Sequence, residues 1–169
     1  MQQMLALSAA LPEQRFEIGN TVVTEGSAAG AVWVLVSGRL QISKGGVVVN
    51  QVGEPGALIG EVSALLDARY GATVTALVPS LLRRADDGHA WLRSDAEIMR
   101  LVAIGLAERL NFVTTYLVDL KHQYGDAPGL SMVPEVLSQL AQRPAPQWRP
   151  GSARDPDPPR PRRPGHRPR

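Results

Sequence analysis

Short runs of β-branched and apolar residues, separated by glycine-containing turns, fill residues 16 to 85 and constrain the fold most strongly. Gly19-Asn20 separates the first two runs, and Lys44-Gly45-Gly46 predicts a hairpin turn. Strands spaced by about 8 to 12 residues with such turns are typical of a β-sandwich or jelly roll. The sequence therefore predicts an α+β, mainly β fold. The predicted strands are residues 16–18, 21–24, 31–36, 40–42, 47–49, 73–77 and 80–83.

The N-terminus predicts a short amphipathic helix over residues 1–15, with Leu5 and Ala9 facing inward. A secretory signal needs a basic start, and no Lys or Arg precedes Arg15, so we do not expect one. The apolar run at residues 31–36 is too short to span a bilayer, and we expect no membrane partner. The chain has no cysteine, which fits a reducing, cytoplasmic compartment.

Residues 89–124 predict one long helix, with Asp86 and Asp87 as candidate caps. Ser94 and Glu97 form a capping-box pattern that would restart it. Its apolar residues alternate at spacings of four and three, a heptad seam that favours a two-stranded coiled coil and a homodimer. The alternative is packing of the helix on its own sandwich, for which a broader stripe is usual. The seam residues are Met99, Ala103, Leu106, Leu110, Val113, Leu117, Leu120 and Tyr124.

The charge of the chain is divided unevenly. The formal net charge is +2, but residues 143–169 hold eight Arg and two Asp, which leaves −4 for residues 1–142. A mildly acidic domain does not favour nucleic-acid binding. We interpret residues 125–142 as a linker with a possible short helix and residues 143–169 as a disordered Arg/Pro-rich tail. That tail is either a basic arm, an unselected ending or the product of a frame-shifted gene.

Two segments carry a family resemblance: Gly56-Ala57-Leu58-Ile59-Gly60-Glu61-Val62-Ser63-Ala64-Leu65-Leu66, and Ala72-Thr73-Val74-Thr75-Ala76. Together they resemble the phosphate-binding cassette of cyclic nucleotide-binding domains, in particular the bacterial catabolite-activator and Fnr-like sensor domains. The resemblance extends over the strand region and implies a double-stranded β-helix sandwich with flanking helices and a long C-terminal helix. It further implies cAMP or cGMP as ligand and no cofactor.

The resemblance also implies which residues contact the ligand. Backbone N–H groups at a helix start would hold the phosphate, and Glu61 would accept a ribose hydroxyl. The family's phosphate-binding arginine is replaced by Tyr70, and Arg69 stands one position early. Two threonines of the long helix lie near the level of the base. The candidate ligand-binding residues are Gly60, Glu61, Val62, Ser63, Arg69, Tyr70, Gly71, Ala72, Thr114 and Thr115.

The predicted function is a non-catalytic sensor module that binds a cyclic nucleotide weakly, or a related ligand, and signals through a dimerising helix to an unknown effector. The alternatives are a degenerate protein-interaction scaffold and a truncated Crp/Fnr-type regulator. A metal-dependent cupin is disfavoured because His89, His122 and His166 lie outside the strand region. Only 45 residues follow Tyr124, with no helix-turn-helix pattern, so we expect no sequence-specific DNA binding.

Overall fold

The computed structural model describes residues 2–124, and these form eight strands and four helices. The strands are β1 Glu13–Phe16, β2 Thr21–Val23, β3 Val32–Ser37, β4 Leu40–Lys44, β5 Val47–Val52, β6 Leu58–Ile59, β7 Thr73–Ala76 and β8 Ser80–Ala85. The helices are α1 Gln2–Leu7, α2 Glu61–Leu65, α3 Gly88–Arg93 and α4 Ala96–Tyr124. The predicted linker at 125–142 and the predicted tail at 143–169 lie outside the described residues.

The strands form two antiparallel sheets of four, in the orders β1-β8-β3-β6 and β2-β7-β4-β5. Neighbours in each sheet are mostly distant in sequence: β3 pairs with both β6 and β8, while β4 pairs with β5 and β7. The β4–β5 hairpin turns through Gly45 and Gly46, which both have positive φ, as a tight two-residue turn requires. The predicted mainly-β sandwich is confirmed.

Strand β3 is buried on both faces and divides the apolar residues into two cores. Trp33 and Leu35 point into the core between the sheets, where the Trp33 ring meets Phe16 edge-to-face at 5.5 Å between centroids. Val32 and Val34 point into a second core. This alternation explains why residues 31–36 are continuously apolar. The second core is completed by Met4, Ala64, Leu92, Ile98 and Val102.

The N-terminal segment differs from the prediction. The helix α1 ends at Leu7 rather than at residue 15, and its buried side chains are Met4 and the following Ser8, whereas Ala9 is exposed. Strand β1 begins at Glu13 and pairs with β8, so the first strand lies three residues before the one predicted at 16–18. The sequence pattern failed here because β1 is polar in three of its four positions.

The predicted single helix at 89–124 is two helices that are separated at Ser94 and Asp95. Asp87 caps the first as expected, since its Oδ1 accepts a hydrogen bond of 2.8 Å from the Ala90 N–H. The capping role predicted for Ser94 belongs to Asp95, whose Oδ1 accepts from the Glu97 N–H at 2.7 Å. The Ser94 hydroxyl instead donates to the Trp91 carbonyl.

By its contacts the chain divides into a unit Met1–Asn111 and a second unit that begins at Phe112, so the boundary falls within α4. In the first unit, Ile98 and Val102 are buried and Met99 and Leu106 pack against the second core. Packing on the chain's own domain, the alternative to a coiled coil, therefore accounts for the seam residues Met99 and Leu106.

Helix α4 is also long and apolar enough to cross a membrane by length and composition, because an 18-residue window within Ala96–Gln123 has a mean hydropathy of 1.3. Its first half nevertheless packs on the domain through Ile98 and Val102. The expectation of no membrane partner stays a prediction.

Candidate functional site

The site is built on the turn between β6 and α2. Gly60 follows β6 in the left-handed conformation, with φ of 89°, and α2 starts at the next residue. A Cβ at position 60 would come within 2.9 Å of both the Ala31 carbonyl oxygen and the Tyr70 ring. Both the backbone conformation and the close approach therefore require glycine, and they fix the direction in which Glu61 leaves the sheet.

Glu61 is a buried acid that pairs with a residue 48 positions later. Only 5% of its side chain is exposed, and its Oε1 accepts a hydrogen bond from Nη1 of Arg109 on α4. The Arg109 side chain is 56% exposed. A buried carboxylate needs such a partner because desolvation disfavours its charge. The pair joins α2 to α4 by a charge-assisted contact.

A cavity of about 560 Å³ opens beside this pair, a size in the usual range for small-molecule sites. One wall is polar and comes from β5 and the loop that follows it. The other wall is apolar and comes from the first half of α4. The lining residues are Met4, Asn50, Gln51, Val52, Gly53, Glu54, Gly56, Ala57, Leu58, Glu61, Leu101, Val102, Ile104, Gly105, Leu106, Glu108 and Arg109. Glu61 is the one predicted ligand contact among them.

Tyr70, which stands where the sequence resemblance implies an arginine, is part of the core between the sheets. Its hydroxyl donates a hydrogen bond of 2.8 Å to the carbonyl oxygen of Ala31. Burial raises the pKa of this phenol above its ordinary value of 10.0, against smaller opposing effects that include the hydrogen bond to Ala31. Tyr70 therefore stabilises the base of the cassette as a neutral group.

The neighbours of Tyr70 bring no cation to the cavity. Arg69 is exposed, and its guanidinium donates to the Gly26 carbonyl at 2.8 Å. Gly71 is exposed, and Ala72 is half-buried. None of these three residues lines the cavity beside Glu61.

The remaining predicted contacts are scattered. Val62 is largely exposed on α2, and Ser63 is buried and lines a separate cavity of about 210 Å³. Thr114 and Thr115 belong to the unit that begins at Phe112. As ligand contacts, the ten residues stay predictions. Within residues 2–124, no group of three or more His, Asp or Glu side chains is placed to hold a metal ion.

Sequence reasoning missed Arg109 and the polar pair Asn50 and Gln51. A signal for Arg109 exists: with Glu108 it interrupts a long apolar stretch of helix, where a charge usually has a specific partner. Asn50 and Gln51 follow three valines in β5 and carry no recognisable pattern. Only the packing of α4 opposite β5 makes them part of a cavity.

The sequence of the strand region is similar to known proteins. Residues 13–89 match the family model of the cyclic nucleotide-binding domain. A cAMP-dependent protein kinase regulatory subunit of Yarrowia lipolytica is 33% identical over 76 residues, which are 45% of this chain and 20% of that protein. The chain thus spans about a fifth of the length of this relative.

The fold is also similar to the folds of solved structures. The catabolite activator protein of Thermus thermophilus superposes with a TM-score of 0.56 at 20% identity, over 86% of this chain and 88% of that chain. The sensor domain of the transcriptional regulator DNR from Pseudomonas aeruginosa superposes with a TM-score of 0.50 at 23% identity, over 65% and 83% respectively. At these identities the likeness establishes the fold alone.

Proposed function

Because residues 13–89 match the family model of the cyclic nucleotide-binding domain, we propose that this chain is a non-catalytic sensor module that responds to a small ligand. The ligand is a cyclic nucleotide, cAMP or cGMP, bound weakly, or a related molecule. It occupies the cavity beside Glu61, and its presence is transmitted through α4 to a second copy of the chain and to an effector. The cysteine-free composition fits action in the cytoplasm.

The contact between Glu61 and Arg109 is the observation that carries this proposal. A hydroxyl-bearing ligand in the cavity would compete with Arg109 for the Glu61 carboxylate. Arg109 lies on α4, so any change in its pairing alters a contact between α2 and the helix. A ligand that prefers one arrangement of the pair therefore shifts the population of helix arrangements.

The surface of α4 supports the dimer that the proposal includes. Large apolar side chains on this helix are exposed, with Phe112 at 71%. Apolar helix surface of this kind is favourable to bury against a second helix. A coiled-coil partner of the same sequence would also match the heptad seam, whose later members include Val113 and Leu117. The other exposed apolar residues are Ile104, Val113, Tyr116 and Val118.

Calorimetric titration of the full chain with cAMP and cGMP tests the proposal. We expect dissociation constants in the high micromolar to millimolar range, because the phosphate lacks its usual arginine. Glu61→Gln should weaken binding at least about tenfold, since a charge-assisted hydrogen bond is lost. Glu17→Gln, which changes an exposed acid outside the cavity, is the matched control and should leave binding unchanged. Binding that Glu61→Gln does not weaken would contradict this site.

The placement of Tyr70 favours a second candidate, a dimerising protein-interaction scaffold. Where the family keeps a phosphate-binding arginine, this chain buries a neutral phenol in its core. A scaffold would dimerise through α4 and bind no ligand in the cavity. Sedimentation analysis beside the titration separates the two candidates: a dimer that binds neither nucleotides nor nucleosides favours the scaffold.

A further inference from the structure

The charge of the cavity beside Glu61 opposes an anionic ligand. Three carboxylates line it, those of Glu54, Glu61 and Glu108, against the single guanidinium of Arg109, so its formal charge is −2. Arg109 is paired with Glu61 through Nη1, so its charge is already partly balanced inside the lining. Arg69 is tied to the Gly26 carbonyl, away from the lining. An incoming phosphate would therefore be repelled rather than neutralised.

The walls of the cavity indicate what it accepts instead. The α4 side, with Leu101, Ile104 and Leu106, offers an apolar surface for a flat ring. The opposite side carries the amides of Asn50 and Gln51. Glu61 presents a carboxylate, which accepts hydrogen bonds from hydroxyl groups and donates none. These walls suit an uncharged molecule with a ring at one end and hydroxyl groups at the other.

We propose that the cavity selects uncharged nucleosides over cyclic nucleotides. The inference rests on the proposed function, because it names the ligand class of the same cavity. A nucleoside lacks the phosphate charge, and its ribose carries more free hydroxyl groups than that of a 3′,5′-cyclic nucleotide. Both differences favour it beside Glu61. Affinity then falls as the negative charge of the ligand increases, in the order adenosine, cAMP and 5′-AMP.

The test is calorimetric titration of the full chain with adenosine, cAMP and 5′-AMP at low and high salt. At low salt, adenosine should bind at least about fivefold more tightly than cAMP. This ratio is the one expected when one phosphate charge lies near two carboxylate charges and water separates them. 5′-AMP should bind more weakly still. High salt should narrow the difference between adenosine and cAMP because it screens the carboxylates.

Variants of the exposed lining residues sharpen the test. The double variant Glu54→Gln/Glu108→Gln removes two exposed carboxylates that belong to neither the Glu61–Arg109 nor the Glu97–Arg100 ion pair, and it should leave folding intact. We expect it to improve cAMP binding relative to adenosine binding by at least about threefold, because only cAMP carries a charge for the carboxylates to repel. The control Glu17→Gln changes the same charge outside the cavity and should alter neither affinity.

The outcomes separate the inference from the proposed function. Adenosine that binds more tightly than cAMP, with the difference reduced in the double variant, supports both. If cAMP binds as tightly as adenosine or more so, the selectivity is overturned while the sensor function stands. If neither ligand binds up to millimolar concentration, both are overturned.

Discussion

The ring of Tyr70 lies so close to Gly60 that a Cβ at position 60 would come within 2.9 Å of the Tyr70 Cε1 atom. Tyr70 thus packs against the glycine that precedes α2. The Tyr70 side chain also belongs to the core between the two sheets, so position 70 has a structural role.

Gly60→Ala should destabilise the domain by about 2–4 kcal/mol, from left-handed strain of about 1–2 kcal/mol plus the collision with Tyr70 and the Ala31 carbonyl. Urea unfolding measures this loss. Gly19→Ala is the matched control, because Gly19 has a similar φ of 82° but no atom within 4 Å of its Cβ position. Gly19→Ala should lower the unfolding free energy only by the left-handed backbone strain. Equal losses for the two variants would contradict the tight contact at Gly60.

Tyr70 should make stability fall at high pH. Its folded pKa is raised by burial, so the folded state holds the phenol proton more tightly than the unfolded state does. This contribution is present below about pH 10 and is lost as the pH rises through the folded pKa. Urea unfolding of the parent and of Tyr70→Phe between about pH 8 and pH 11 measures it. The variant should lose less stability over this window, and identical slopes would contradict a buried, neutral phenol.

The pair of Glu61 and Arg109 should respond unequally to loss of its two members. Arg109→Gln leaves a buried carboxylate without a cation and should cost about 1–3 kcal/mol of unfolding free energy. Glu61→Gln leaves an exposed guanidinium that water solvates, and should cost less. Chemical denaturation measures both.

The pair Glu97 and Arg100 on the same helix, whose side chains are 35% and 53% exposed, provides the comparison. Hydrogen bonding to Arg100 lowers the pKa of Glu97, yet both groups face solvent. Arg100→Gln should therefore change stability little. A loss for Arg100→Gln as large as that for Arg109→Gln would mean that burial of Glu61 is unimportant.

Val113→Glu should dissociate the dimer that we propose, because it places a charge in the heptad seam of α4. Sedimentation equilibrium over a range of concentrations detects the change. Asn111→Glu adds the same charge off the seam and should remain dimeric. A monomeric parent chain, or a dimer unaffected by Val113→Glu, would contradict assembly through this helix.

Most of the individual strands were predictable because local signals mark them. Val32 to Ser37 is recognisable by its apolar run, and Gly45-Gly46 by its turn chemistry. Strand β1 was misplaced because its residues are polar, and it is held by pairing with β8, some 70 positions away. The local sequence pattern cannot predict a strand that is held only by pairing with a strand distant in the sequence.

The candidate site was predictable only in part. The motif around Gly60 and Glu61 is contiguous and can be read directly from the sequence. The partner Arg109 is not, since only the packing of α4 brings it to Glu61. The placement of Tyr70 follows from the fold of the two sheets, because a tyrosine at that position suits either a ligand contact or the core.

Hydrogen exchange of α4, with and without saturating adenosine or cAMP, tests most directly whether the cavity communicates with the helix. The account predicts that ligand changes the exchange of amides around Arg109 in the parent chain. It also predicts that Arg109→Gln, at matched ligand occupancy, loses most of this change. Ligand that binds without altering exchange in α4, or that alters it equally in Arg109→Gln, would contradict transmission through the Glu61–Arg109 pair.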